Sequence, residues 1–305
     1  MTARRTPRRE GPAENAQRVG VLARAPGKTN GELVAAWRKL GLEAELLLPE
    51  DAAARLGPGD VALVRLDVLP TLDGVEPGLE ELPGLERRGV RVWNGARGLL
   101  GAHDKLLTAR LLHRAGIPHP RTVHLGRGER LAGLEPPVVV KPRFGSWGRD
   151  VTLCETRADL ERCLREAEER PWFRRHGALV QELVPPRFHD LRIVVARGSV
   201  VGAAERVAAP GEWRTNVSLG GSLRRATRSR RAWKLATAAA AAVGTDLAGV
   251  DLLPLPGGGY VVLELNGAVD FDHRYSLGRA SVFADVARAL GLVSRAARLE
   301  PLGTR

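Results

Sequence analysis

Apolar and polar positions along this chain follow two rhythms, a period of two and a period near 3.6, and their order predicts strands alternating with helices. Arg18 to Arg24 reads as a first strand, and Gly31 to Leu40 places apolar residues at helical spacing before stopping at Gly41. Glu43 to Leu48, Val61 to Leu66 and Val90 to Trp93 read as further strands, so this part of the chain predicts a small α/β lobe. His103 to Ala115 predicts an amphipathic helix stopped by Gly116 and Pro118. Strands follow at Val138 to Lys141 and Val151 to Cys154, then a helix at Ala158 to Glu169. A strand at Ala178 to Leu183 breaks at Pro185-Pro186. Leu191 to Val195 and Val200 to Val207 predict a hairpin across Arg197-Gly198-Ser199. Ser229 to Val243 predicts an Ala-rich helix ended by Gly244, and Ser281 to Leu290 a closing helix. Between them, Gly249 to Leu253 and Val261 to Gly267 read as short apolar strands that carry acceptor side chains.

Composition narrows the class. At 305 residues the chain suits two or three compact lobes, and 44% hydrophobic with 27% charged residues is ordinary for a globular protein. The longest apolar stretch, near Ala238 to Val243, falls short of the ~20 residues a bilayer requires. The Arg-rich N-terminus has no apolar signal core behind it, so the expected location is the cytoplasm, with no membrane partner. Cys154 and Cys163 are too few for a disulfide framework or a four-ligand zinc site. The net charge of +12 favours acidic partners: nucleic acid, an acidic peptide or nucleotide phosphates, or else abundant arginine on solvated faces. An aromatic content of 4% argues against a base-stacking platform for single strands.

The candidate chemistry lies in two places. Residues two apart on a strand share a face, so Glu264 and Asn266 point the same way, and Asp251 on a neighbouring strand can add a third oxygen. Hard oxygen donors of this kind suit Mg²⁺, which keeps other positions for water and phosphate. Upstream, Lys141 at a strand end is followed by Gly145-Ser146-Trp147-Gly148, where glycines let backbone N–H groups turn toward an anion. Lys105 is a second cation, and Gln181-Glu182-Leu183-Val184 is a strand-to-linker joint suited to reading an adenine edge. Arg192 and Arg206 lie on opposite strands of the expected hairpin, and Arg214 stands two before Asn216; an arginine fork stabilises a transferring phosphoryl or a carboxylate. Gly27-Lys28-Thr29 imitates the end of a P-loop, but Leu22 stands where the first glycine belongs.

These parts occur in a telling order: His103-Asp104-Lys105, Lys141-Pro142 with Gly145 to Gly148, Val180-Gln181-Glu182, Asp190-Leu191-Arg192, Trp213-Arg214-Thr215-Asn216, Gly249-Val250-Asp251 and Glu264-Leu265-Asn266. The set resembles the ATP-grasp superfamily, in its branch of ribosomal-protein-S6 glutamate ligases and lysine-biosynthesis carrier-protein ligases (RimK-like), from about Arg18 to Leu290. The resemblance implies an α/β, three-lobed fold: a basic tail at 1–17, an N-terminal lobe at 18–100, a central lobe at 101–184, a C-terminal lobe at 185–298 and a tail at 299–305. It implies that Lys105 and Lys141 hold ATP phosphates, that Gln181, Glu182 and Val184 contact adenine, and that Asp190 lies near the ribose. Arg214 and Asn216 would face the triphosphate, and Asp251, Glu264 and Asn266 would bind two Mg²⁺ ions, with Mn²⁺ as a substitute.

The implied reaction joins a carboxylate to an amine through an acyl phosphate, with an amino acid such as glutamate as one partner and a small molecule or acidic peptide or protein as the other. A homo-oligomer is compatible with the sequence. The chain departs from the family pattern at Gly267 to Tyr275, where Asp270 and Asp272 suit a reader of a cationic or amine substrate, Arg274 suits a carboxylate reader, and a plain solvated loop is an equal alternative. Two other readings stand beside this one: a basic nucleic-acid-binding protein, and a grasp fold that binds nucleotide without catalysis. No helix-turn-helix or zinc pattern supports the first, and the presence of both lysines and all three oxygen donors counts against the second.

Overall fold

The computed structural model describes residues 17–293, so the expected tails lie outside the described residues except for Gln17. Three sheets are present. The N-terminal lobe has β1 (Arg18–Leu22), α1 (Lys28–Lys39), β2 (Glu43–Leu47), α2 (Ala52–Arg55), β3 (Val61–Val64), α3 (Leu82–Arg87) and β4 (Arg91–Trp93). Its strands are all parallel, in the order β2-β1-β3-β4. Every residue of β3 is buried, as expected when helices cover both faces of a parallel sheet.

Helices α4 (Ala96–His103) and α5 (Lys105–Arg114) follow. The helix expected from His103 to Ala115 is α5, and α4 ahead of it was not predicted; Asp104 marks the join: its carboxylate accepts from the N–H groups of Leu106 and Leu107, capping α5. Residues 101–117, grouped by sequence with the central lobe, pack on the C-terminal lobe. Ala102, Leu112 and Ile117 share a core with Ile193, Val250 and Leu265. A Cβ at Gly101 would meet Val243 at 2.9 Å, which shows how closely α4 approaches.

The central lobe has β5 (Thr122–Leu125), β6 (Val138–Pro142), β7 (Thr152–Cys154), α6 (Arg157–Glu168), α7 (Pro171–His176) and β8 (Ala178–Glu182), with an antiparallel sheet ordered β5-β8-β6-β7. The C-terminal lobe has β9 (His189–Ala196), β10 (Ser199–Val207), β11 (Ser222–Arg225), α8 (Arg230–Val243), β12 (Leu247–Pro254), β13 (Tyr260–Asn266) and α9 (Val282–Leu290), ordered β11-β10-β9-β12-β13. The hairpin expected around Arg197-Gly198 is β9–β10. Strands β5 and β11 were not predicted from the sequence. No helix among the described residues is long and apolar enough to cross a membrane.

Candidate active site

A cleft runs between the central and C-terminal lobes, and the two lysines stand in it. Lys141, on the all-buried strand β6, is 5% exposed and donates through Nζ to Gln181 Oε1 at 2.8 Å. Burial, helped by the nearby charge of Lys105 and opposed by that of Glu264, pushes its pKa down to about 8. Lys105 opens α5, and its Nζ lies 2.6 Å from the Gly145 carbonyl and 3.0 Å from Glu264 Oε2. Asp104 is also gripped by both arms of Arg143, at 2.8 and 2.5 Å, so the cap of α5 is tied to the base of the Gly-rich turn. The sequence reading quoted Asp104 only within a motif and gave neither it nor Arg143 a role. The signal was available: an aspartate at an N-cap, and an arginine two residues beyond a strand-end lysine.

The Gly-rich turn is shaped by contacts from the opposite lobe. Gly148 has φ +71°, and a Cβ there would meet Asn216 Oδ1 at 2.9 Å. Trp147 is 40% exposed at the tip, with the Arg149 guanidinium 4.8 Å from its ring. The Ser146 hydroxyl is buried without a hydrogen-bond partner. Arg214 donates to the carbonyls of Gly148 at 2.9 Å and Val151 at 3.4 Å, while Glu212 holds its other face at 2.8 and 3.0 Å. Arg214 therefore clamps the turn from across the cleft, and Glu212, missed in the sequence, orients it. Hydrogen bonds from Arg214 hold the Glu212 carboxyl down to about 2.

Gln181 is held between Lys141 and Thr122 Oγ1, and Glu182 accepts from the Arg121 N–H at 2.8 Å; Leu183 and Val184 line the same cleft wall. Two expected ligands are turned toward arginines. Asp190 takes Arg206 and the Thr215 hydroxyl on its oxygens, so in this structure it anchors them rather than presenting free oxygens to a ribose. Asp251, 0% exposed, accepts both arms of Arg192 at 2.8 and 2.7 Å and Arg206 at 2.8 Å. Burial disfavours its charged form, but the two guanidinium groups outweigh that and hold its pKa well below the usual carboxylate range. Among the described residues, no three of His, Cys, Asp and Glu stand together as a ready-made metal site. Glu264 lies opposite Asp251 across β12–β13, and Asn266 opposite Gly249. Burial works against the charge on Glu264, yet Lys105 and Lys141 lower its pKa. Asn266 keeps a buried amide nitrogen without a partner.

A second cavity, of about 360 Å³, shares Ser146, Trp147, Arg206, Asn216 and Glu264 with the cleft. Its far wall includes Lys28, Asp67 and the loop from Ala268 to Tyr275. In that loop Asp272 and Arg274 bind each other, with contacts from 2.6 to 3.0 Å, so neither faces the cavity as a free charge. Asp270 accepts from the Thr29 hydroxyl at 2.9 Å. The P-loop-like Gly27-Lys28-Thr29 thus docks this loop through Thr29.

Comparison with known proteins gives the family and the fold. Residues 102–280 match the RimK-like ATP-grasp domain, and the chain belongs to that family. It is 32% identical over 212 residues to the tetrahydromethanopterin:alpha-L-glutamate ligase of Methanosarcina acetivorans, covering 64% of this chain and 65% of that one. It is 30% identical over 220 residues to the glutamate–LysW ligase ArgX of Sulfurisphaera tokodaii, covering 71% and 76%. The crystal structure of a RimK domain ATP-grasp protein from Sphaerobacter thermophilus superposes with a TM-score of 0.61 at 24% identity, covering 90% of this chain and 99% of that one, which shows the ATP-grasp fold.

Proposed function

We propose that this protein is an ATP- and Mg²⁺-dependent ligase that joins a carboxylate to an amine through an acyl phosphate, with glutamate as the amino acid partner. One observation supports this reading: Lys105, Lys141, the clamped Gly-rich turn and Glu264 line one cleft, and Glu264 is shared with a second cavity that Asn266 lines. The cleft fits ATP. Both lysines offer charge to phosphates, the buried Ser146 hydroxyl lacks a partner, and the turn is a backbone cradle that a side chain at Gly148 would fill. Glu264 through its carboxylate and Asn266 through its amide oxygen fit Mg²⁺ as oxygen donors, with phosphate and water completing the shell, while the unmet Asn266 amide N–H is left to donate to a phosphate oxygen. Asp251 would join them only if an arginine released one of its oxygens. Two ions, with Mn²⁺ as a substitute, are our reading of the family pattern. Bound Mg²⁺ would neutralise charge on the phosphates.

The chain's own groups account for the rest. A substrate carboxylate oxygen attacks the γ-phosphorus, the bond to ADP breaks, and its electron pair leaves with ADP. Arg192 and Arg206, fixed by Asp251 and Asp190, border the second cavity and are placed to stabilise the phosphoryl group as it moves. The amine then attacks the acyl carbon, phosphate departs, and the amine proton is lost to solvent. The turn held by Arg214 shields the acyl phosphate from water. The test is ADP release with Mg²⁺-ATP, glutamate and a panel of small and peptide carboxylates, with mass spectrometry of the product. Glu264→Ala is expected to abolish turnover while the fold persists. Full turnover by that variant, or no substrate-dependent ADP from the parent, would overturn the reading.

A further inference from the structure

The N-terminal lobe reaches out of its own fold at one place. Residues 68–75 form a tight hairpin, closed by a bridge between Val68 and Val75 and by the Leu69 N–H donating to the Gly74 carbonyl at 2.9 Å. At its tip, Leu72 sits at φ 62°, a left-handed conformation that a bulky L-residue adopts only when its surroundings impose it. Those surroundings belong to the central lobe. Leu72 is 5% exposed and packs in the hydrophobic core of residues 123–180, to which, among the described residues, no other residue of the N-terminal lobe contributes.

The neighbouring residue adds polar contacts to the plug. Asp73 pairs with Arg175 at 3.2 Å, and its carbonyl accepts from His176 Nε2 at 2.7 Å. Both partners end α7. The His176 ring in turn meets Phe144 edge to face at 5.0 Å, and Phe144 bridges to Asp104 at the start of the Gly-rich turn. A chain of contacts thus runs from the hairpin tip to the turn that covers Lys141. At the other end, Asp67 holds the hairpin's foot by accepting the Glu76 N–H at 2.8 Å, and it also lines the second cavity.

Lys141 lines the cleft beneath the Gly-rich turn, so the height of that turn sets the room for a nucleotide beside it. Arg214 and Ser218 hold the central lobe from the C-terminal side through carbonyls of the turn. The hairpin holds it from the N-terminal side, by its body. We propose that the hairpin 68–75 is a positioning strap: by gripping α7 it sets the height of the phosphate turn over the cleft, and through Asp67 at its foot it ties that turn to the second cavity. The proposal rests on reading the cleft as the nucleotide site.

The test is amide hydrogen exchange of the full chain without ligand, comparing the parent with Leu72→Gly, which relaxes the left-handed residue and removes the plug. Exchange in 143–149 and 171–176 is expected to rise about tenfold or more, and Mg²⁺-AMP-PNP is expected to reverse most of the rise. In turnover, KM for ATP is expected to rise with little change in kcat. If exchange rises in 68–75 while 143–149 stays at the parent's rate, the strap is overturned. Should Leu72→Gly fail to fold, Arg175→Gln, at the exposed side of the ion pair, tests the same grip with the same two outcomes. Exchange needs no turnover, so a failed ligase assay leaves this result readable, and a failed strap leaves the ligase reading intact.

Discussion

Lys141 and Asp251 are buried charges of opposite sign, and their partners give them opposite behaviour. Lys141 has a neutral partner in Gln181, so burial prevails and its pKa falls to about 8. Phosphate binding needs the ammonium form. Nucleotide affinity is therefore expected to be full below pH 8 and to fall as pH rises through it, by at most about tenfold per unit. Calorimetric titration of Mg²⁺-ATP at pH 7, 8 and 9 checks this, and Lys141→Arg is expected to flatten the profile because arginine stays charged. Asp251 instead has two arginines, and they outweigh its burial. Asp251→Asn leaves Arg192 and Arg206 buried with one counter-charge fewer, at a cost of about 3–5 kcal/mol. Urea denaturation of the metal-free protein measures that cost. Unchanged stability would mean that Asp251 acts chiefly as a metal ligand.

The two glycines that the sequence singled out in the phosphate turn are not equivalent. Gly148 has a positive φ and no room for a Cβ, whereas the nearest atom to a Cβ at Gly145 is 3.6 Å away. Gly148→Ala is expected to lose on the order of 1–3 kcal/mol of ATP binding through strain in the turn, while Gly145→Ala binds nearly as the parent does. Paired Kd measurements separate them. The same contrast explains what local sequence could reveal. Helix starts at Ser229 and Ser281 were readable because an N-cap acts within three residues. The β9–β10 hairpin and the β12–β13 acceptor strands were readable because each carries its own apolar pattern. Strand β11, Ser-Leu-Arg-Arg, has no such pattern and exists because β10 offers it an edge. Among site residues, the lysines and Glu264 were readable by type and spacing. The inward turn of Asp190 and Asp251 was not, because it depends on Arg206 of β10, which reaches Asp190 on the adjacent β9 and Asp251 one strand further, on β12.

At the scale of the whole molecule, three sheets make only two bodies. Val19, Trp37 and Leu63 of the N-terminal lobe share a core with Val194, Leu247, Val286 and Leu290 of the C-terminal lobe. The Trp37 indole donates to the Phe283 carbonyl at 3.1 Å across 246 positions of sequence, a contact that periodicity cannot announce. Asn94 adds donors to the carbonyls of Leu247 and Gly267, and Arg65 reaches the carbonyl of Val269. The central lobe keeps a separate core around Trp172 and Phe173, with Leu72 as the one N-terminal-lobe residue in it among the described residues. Under the proposed ligase reading, the separately packed central lobe would be the part that moves against a fixed platform. The arrangement predicts how the protein unfolds. Trp37→Ala is expected to cost about 3–5 kcal/mol and to lower the protection of β1, β9 and β12 together, because one core holds them. Trp172→Ala is expected to expose β6 and β8 while leaving β12 protected. Native-state hydrogen exchange in low urea distinguishes these outcomes; loss of protection throughout the chain in both variants would show that central lobe and platform unfold as one unit.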